Sequence, residues 1–271
     1  MGDPGCRAHR TPGGAGRRRG VEQRHARSDG EQESRARQAD AGAIPGSADS
    51  RLLRRASRRR RGGRRKHVLC EKPIGVDAAE AEEMAAAAKR SGRHLMEAFM
   101  YRFHPAMREF VESIREPLHV QATFGFTAKD PNDIRLQRDL GGGALLDVGS
   151  YTVSVSRWIL GEPDDVAARG RFKDGIDVTI SGLLTFAGGS TASVWASVEA
   201  PEEQDLKVIT RSGVLRRVRP FSAYRDPHDP YQLMVESFAD SVLHDRPVAI
   251  PLAESIANMR VLDRIQQAAR A

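Results

Sequence analysis

Residues 1–66 carry 19 basic side chains against seven acidic ones, and their large aliphatic or aromatic residues are only Val21, Ile44, Leu52 and Leu53. Ordering a residue costs roughly 1–2 kcal/mol of chain entropy. Four such side chains cannot bury enough apolar surface to offset that cost over so long a stretch. No period of 2 or 3.6 appears there, so residues 1–65 read as a disordered, Arg-rich segment. The charge then reverses: from residue 67 onward 24 basic residues face 29 acidic ones. Whatever folds in this chain is therefore expected to start near Lys66.

Two other readings of the head can be weighed. The run Arg58–Arg61, with Arg54, Arg55, Arg64 and Arg65 beside it, could attract nucleic acid electrostatically. No aromatic residues interleave to stack on bases, so nucleic acid is not expected as a partner. Alternatively, the head is GC-rich coding DNA read one nucleotide out of register, since Asp, Val and Ala codons shifted in this way become consecutive arginines. Near-exclusive use of Arg over Lys, with much Gly, Ala and Pro, fits such a misreading.

The two cysteines, Cys6 and Cys70, form no disulfide framework or metal-ligand spacing. The eight histidines include no pair at helical ligand spacing, so no metal is expected. The start, MGDPGCRAHR, lacks the apolar centre of a secretory signal. No apolar run approaches the roughly 20 residues of a membrane span. A cytoplasmic protein with no membrane contact is the expectation.

From Lys66 the pattern becomes regular. His67–Cys70 is a short apolar strand running into Glu71-Lys72-Pro73. Asp77 and Glu80 are spaced as an N-cap and its N3 partner for a helix over Asp77–Ser91, and Gly92 stops it. The stretch HLMEAFMYRF reads as a second strand, so Lys66–Phe103 is strand–helix–strand, the closing unit of a doubly wound parallel sheet. Pro105 opens a helix with Met107, Phe110, Val111 and Ile114 on one face. Leu118 to Thr127 alternates as a strand. A loop over Ala128–Gly143 precedes a helix from about Ala144 to Leu160. Three or four strands follow, near Val166–Phe172, Ile176–Phe186, Thr191–Val198 and Leu206–Ile209, with turns at Gly188-Gly189 and Ser212-Gly213. Helices over Tyr231–His244 and from Pro251 onward end the chain. The fold class expected is α/β: a remnant of a Rossmann-type parallel sheet, residues 66–103, then an α+β domain with a largely antiparallel open sheet, residues 104–271.

Three places can carry chemistry. Glu71-Lys72-Pro73 stands at the carboxyl end of a strand, the edge where open α/β sheets hold ligands, and Pro73 keeps Lys72 extended. Gly141-Gly142-Gly143 feeds a helix that presents Asp147 and Tyr151 four residues apart, on one face. Tyr101-Arg102-Phe103-His104-Pro105 joins the two units, and a histidine there is more often a helix-start residue than a base.

Together the strings HVLCEKP, EAFMYRFHP, NDIRL, GGGALLDVGSY and SIANMRVLD resemble the Gfo/Idh/MocA family, over about Lys66 to Ala271. The branch they are most similar to holds xylose dehydrogenases, glucose–fructose oxidoreductase and dihydrodiol dehydrogenases. The resemblance implies a two-domain oxidoreductase that uses NAD or NADP on a sugar, polyol or diol and forms homo-oligomers through its C-terminal sheet. It implies cofactor contacts from Glu71, Lys72, Pro73 and Arg102, and substrate contacts from Asp147, Arg135 and His104. Lys72, Tyr151 and Asp147 would be catalytic, with Tyr151 taking the hydroxyl proton and Lys72 lowering the phenol below its usual value of about 10.

One departure is severe. Family members open with a strand and a glycine-rich turn whose amides receive the pyrophosphate. In residues 1–66 the run Gly13-Gly14-Ala15-Gly16 lacks a flanking apolar strand and helix. Weak binding of nicotinamide cofactors is therefore predicted for this chain. A low-micromolar affinity in a fluorescence titration with NADPH would overturn that expectation.

Overall fold

A computed structural model of the protein describes residues 66–222 and 227–271. The Arg-rich segment, with every expectation placed on it, lies outside the described residues.

Strand β1 (Val68–Glu71), helix α1 (Ala78–Ser91) and strand β2 (Leu95–Ala98) form the expected parallel unit, with Cys70 opposite Glu97 and Glu71 opposite Ala98. The Asp77 carboxylate accepts from Glu80 N at 2.7 Å, and Glu80 Oε2 accepts from Val76 N at 2.9 Å. Two orphan donors at the helix start are thereby satisfied. Gly92 closes the helix in the left-handed conformation.

The second strand is shorter than its sequence suggests. After Ala98 the chain winds into a 3₁₀ turn, Met100–Phe103. Phe99, Met100, Tyr101 and Phe103 are all buried. A strand alternates its faces and cannot bury consecutive side chains in one core, whereas a turn can.

Helix α2 (Pro105–Ser113) leads to β3 (Pro117–Thr127). The helix expected over Ala144–Leu160 divides into a π turn, Leu145–Gly149, and helix α3 (Ser150–Leu160). Strands β4 (Pro163–Lys173), β5 (Ile176–Phe186), β6 (Thr191–Ser197), β7 (Glu199–Thr210) and β8 (Val214–Val218) follow. Helices α4 (Pro230–Leu243) and α5 (Leu252–Arg270) complete the described chain. Strand β8 has no counterpart in the sequence pattern. Its Arg216 and Arg217 blur the apolar alternation, as charged residues commonly do on the edge strands they protect.

The six-stranded sheet has the order β4-β5-β6-β3-β7-β8, antiparallel except for the β3–β6 pair. Helix α3 lies against β3 and β6, and α5 lies against β4 and α1. One apolar core runs from Cys70 and Met96 beside the small sheet to Leu184 and Leu206 in the large one. Burial pushes the Cys70 thiol up to about 12, so it packs as an inert apolar group. Among the described residues no helix is long and apolar enough to cross a membrane.

Helix α3 is buried from Ser150 to Arg157 although Ser150, Thr152, Ser154 and Ser156 bear hydroxyls. Thr152 Oγ1 donates to Gly149 O at 2.9 Å. Ser156 Oγ donates to Thr152 O at 2.7 Å. The helix backbone thus satisfies hydroxyls that would otherwise be orphaned. A helix enclosed on all sides is a firm support for what its first turn carries.

Candidate active site

The site is assembled by three short segments that meet at Asp147. The Lys72–Pro73 peptide at the end of β1 is cis. Lys72 Nζ donates to Asp147 Oδ1 and to the Asp147 carbonyl oxygen, both at 2.7 Å. Arg135, from the loop after β3, donates Nε–H to Asp147 Oδ2 at 2.6 Å. Its Nη1 reaches Asp133 Oδ1 at 3.2 Å, and its guanidinium lies 5.4 Å from the Phe126 ring centre. Both oxygens of one carboxylate are thus bound by cations. Burial alone would raise the Asp147 carboxyl, but the Lys72 and Arg135 charges outweigh it and hold the carboxyl below its usual range. Asp147 is ionised near neutral pH.

Tyr151 stands one turn on. Lys72 Nζ sits 4.8 Å from its ring centre. Phe99, Tyr101, Phe124 and Phe221 surround the ring, with centroids 5.4–5.6 Å away. Among the described residues no group hydrogen-bonds the Tyr151 hydroxyl. Tyr101, by contrast, is tied to Ser154 Oγ at 2.8 Å. The expectation that Lys72 lowers the Tyr151 phenol is wrong. Burial holds that phenol well above its ordinary value, and the Asp147 and Glu71 charges add to the effect. The ammonium lies over the ring and has a carboxylate for its partner, so it does little for a developing phenolate.

The glycines place this group. Gly142 N bonds to Gln137 O and Gly143 N to Arg135 O, both at 2.9 Å, so the chain folds back on the segment carrying Arg135. Gly143 has φ 129°, and a Cβ there would lie 2.3 Å from Asp177 Oδ1. Asp177, on β5, is the residue that sequence reasoning missed. Its Oδ2 accepts from Leu145 N at 2.6 Å and caps the turn that presents Asp147. An acid between Ile176 and Val178 in a strand was the available signal, since all three are buried.

Two candidates stand apart from the Lys72–Asp147–Arg135 group. Arg102 donates to Glu254 Oε2 at 2.8 Å and stacks 4.8 Å from the Trp158 ring centre, joining α5 to α3. His104 caps α2, its Nδ1 accepting from Ala106 N at 3.1 Å. Glu71 ends β1 with its side chain exposed, and Pro73 is half-buried.

Residues 106–216 match the GFO/IDH/MocA C-terminal domain, and residues 59–99 match the oxidoreductase family with the NAD-binding Rossmann fold. D-xylose 1-dehydrogenase (NADP(+)) 2 of Haloferax volcanii is 37% identical over 229 residues, 75% of this chain and 70% of that one. The chain belongs to the Gfo/Idh/MocA family. The family binds NAD(P). Mouse trans-1,2-dihydrobenzene-1,2-diol dehydrogenase is 41% identical over 154 residues, 50% of this chain and 43% of that one. Among solved structures, aldose-aldose oxidoreductase from Caulobacter crescentus, complexed with glycerol, superposes with a TM-score of 0.76 at 26% identity, covering 83% of this chain and 75% of that one.

A nicotinamide cofactor can be tested against the residues present. A lysine ammonium has three N–H donors, and two of those on Lys72 go to Asp147. The third has no acceptor among the described residues and suits a cofactor or substrate oxygen. The described residues of this family member therefore fit the reacting end of the group. A strand–glycine turn–helix for its pyrophosphate is not among them.

The capping carboxyl generates a prediction. Burial raises Asp177 to about 6 from 3.8. Between those values the folded chain keeps a proton that the unfolded chain has released, so stability falls as pH rises from about 4 to about 6. Relative to an Asp177→Asn variant, denaturant titrations across that range are expected to show a decline of at most about 3 kcal/mol. Parallel curves for the two proteins would refute this.

Proposed function

We propose that this chain is the reacting half of an NAD(P)-dependent oxidoreductase for CH–OH groups of a sugar, polyol or diol. The observation that carries the reading is the Lys72–Asp147–Arg135 set beside Tyr151, a buried ring whose hydroxyl has no hydrogen-bond partner among the described residues. Residues 66–103 then close the dinucleotide-binding domain and 104–271 form the substrate domain. The bound cofactor supplies or accepts the hydride. The protein's own residues do the rest. The free Lys72 N–H meets a substrate or cofactor oxygen, and ionised Asp147 orients a substrate hydroxyl. Glu71, Lys72 and Pro73 border the nicotinamide end; Arg102 and His104 support the walls through the contacts above rather than touching ligand. Substrates named for relatives point the same way: one acts on D-xylose with NADP(+), another on a benzene dihydrodiol.

A raised phenol decides how Tyr151 works. In reduction it is already protonated and gives its proton to the oxygen that becomes a hydroxyl. In oxidation it must first lose that proton, and the reactive phenolate grows about tenfold per pH unit below its pKa. Oxidation is therefore expected to accelerate with pH through the alkaline range. Tyr151→Phe should lower kcat by about 10²–10⁴ and flatten that rise. Lys72→Met should cost a similar factor, since it removes a donor to the reacting oxygen. Absence of NAD(P)H turnover with every sugar, polyol and dihydrodiol offered to a folded sample would sink the reading. It would favour a non-catalytic fragment, the reading supported by the missing glycine-rich turn in residues 1–66.

The partner of the domain is inferred to be a second copy. Strand register places Leu183, Trp195, Ile209, Val214 and Val218 on the face of the large sheet opposite α3 and α5. Leu183, Ile209, Val214 and Val218 are exposed there. Exposed apolar groups spread over one sheet face mark an association surface. Sedimentation velocity is expected to show a dimer or larger species, and Ile209→Lys with Val214→Lys to shift it to monomer. A monomeric parent protein would contradict this.

A further inference from the structure

The segment that follows Lys72 is held to the body of the protein at two points. Asp263 Oδ2, on α5, accepts from Ala78 N at 3.0 Å. Glu97 Oε1, on β2, accepts from Ile74 N at 2.9 Å. The second point is the unusual one. Glu97 is 1% exposed, and neither the reaction above nor any ion pair among the described residues uses it. Its second oxygen, Oε2, and the hydroxyl of Ser255 on α5 are both buried without a hydrogen-bond partner among the described residues. Ser255 neighbours Glu97 closely enough to act on its carboxyl.

We propose that Glu97 is the positioning residue for Lys72: through Ile74 it ties the loop carrying that lysine to β2. The proposal rests on the reading of Lys72 as a site residue. Isolated ionised carboxylates are strongly disfavoured in an apolar interior. The Arg102 and Lys72 charges relieve that cost only in part, since Arg102 is paired with Glu254 and Lys72 with Asp147. Burial accordingly raises the Glu97 carboxyl. One carboxyl oxygen accepts the Ile74 N–H, a buried donor that would otherwise be orphaned. Ile74 is itself fully buried, and only Pro73, with its locked φ, separates it from Lys72. Little slack remains between the Glu97 carboxyl and the ammonium two residues away. A displacement of Ile74 must move Lys72 off Asp147.

The requirement is for one buried acceptor on a side chain of carboxyl shape, which a glutamine side chain also provides. This separates positioning from a need for negative charge. The test is acylation of the full chain with an N-hydroxysuccinimide ester, with the rate at Lys72 read by peptide mass spectrometry against exposed Lys129. In the parent protein Lys72 should react slowly, being half-buried and paired. Glu97→Leu is expected to raise the Lys72 rate about tenfold, the effect of one lost buried hydrogen bond, with Lys129 unchanged. Glu97→Gln should stay at the parent rate. If Glu97→Leu does not fold, Glu97→Ala, which removes the carboxyl and adds no new bulk, should accelerate Lys72 selectively. The proposal is overturned if a folded Glu97→Leu or Glu97→Ala labels Lys72 at the parent rate, or if Glu97→Gln labels as fast as Glu97→Leu. Failure of turnover would count against the proposed reaction alone, because labelling reads the geometry of Lys72 directly.

Discussion

The rest of the structure is organised around one buried carboxylate that must stay charged. Asp147 lies at the start of an enclosed helix, where an isolated anion would be strongly disfavoured. Its charge is stabilised by an ammonium from the end of β1 and a guanidinium from the loop after β3, one on each oxygen. Those partners come from residues 75 and 12 positions away. The small parallel sheet and the large sheet must therefore be packed in one particular way before the carboxylate is tolerated at all. Removing one cation would leave a partly buried charge under-compensated, a more damaging change than loss of a surface ion pair.

Supporting contacts repeat this pattern at lower charge. Asp177 caps the turn under Asp147, and Gly143 is the residue whose missing side chain lets that carboxyl approach. The π turn over Leu145–Gly149 packs closely against β6. A Cβ at Gly149 would meet Leu145 Cδ1 at 3.0 Å and Ala196 Cβ at 3.3 Å. The turn widens against β6 there rather than continuing as regular helix. Aromatic rings from three other segments then close around Tyr151. They keep water from the phenol and thereby raise it, an effect that outweighs the lysine charge above the ring.

Much of the frame was legible in the residues. Asp77, Glu80 and Gly92 mark both ends of α1, because caps satisfy backbone groups locally and need no distant partner. Period-two runs located β3 and β5, and the strings around Lys72, Arg135, Asp147 and Tyr151 identified the segments that meet. Less was legible where burial overrides local pattern. The stretch after Ala98 has strand-forming composition yet turns, since Phe99, Met100 and Tyr101 enter one core in succession. Strand β8 hid behind its arginines. Arg102 and His104 have the residue types of ligand contacts, and no local pattern showed that Arg102 also packs against Trp158 or that the His104 ring caps α2.

The sequence by itself determined the order of most elements among the described residues and which side chains could carry charge to a cleft, because these depend on local periodicity and capping. Only the tertiary structure decided what those charges do. It set Lys72 against Asp147 rather than against the phenol, and it brought Asp177 beneath a glycine turn from a distant strand. It also buried Tyr151 among rings drawn from three other segments. A side chain's protonation and partners depend on the dielectric and charges within a few ångströms. Such neighbours are chosen by packing between distant segments, which no local pattern records.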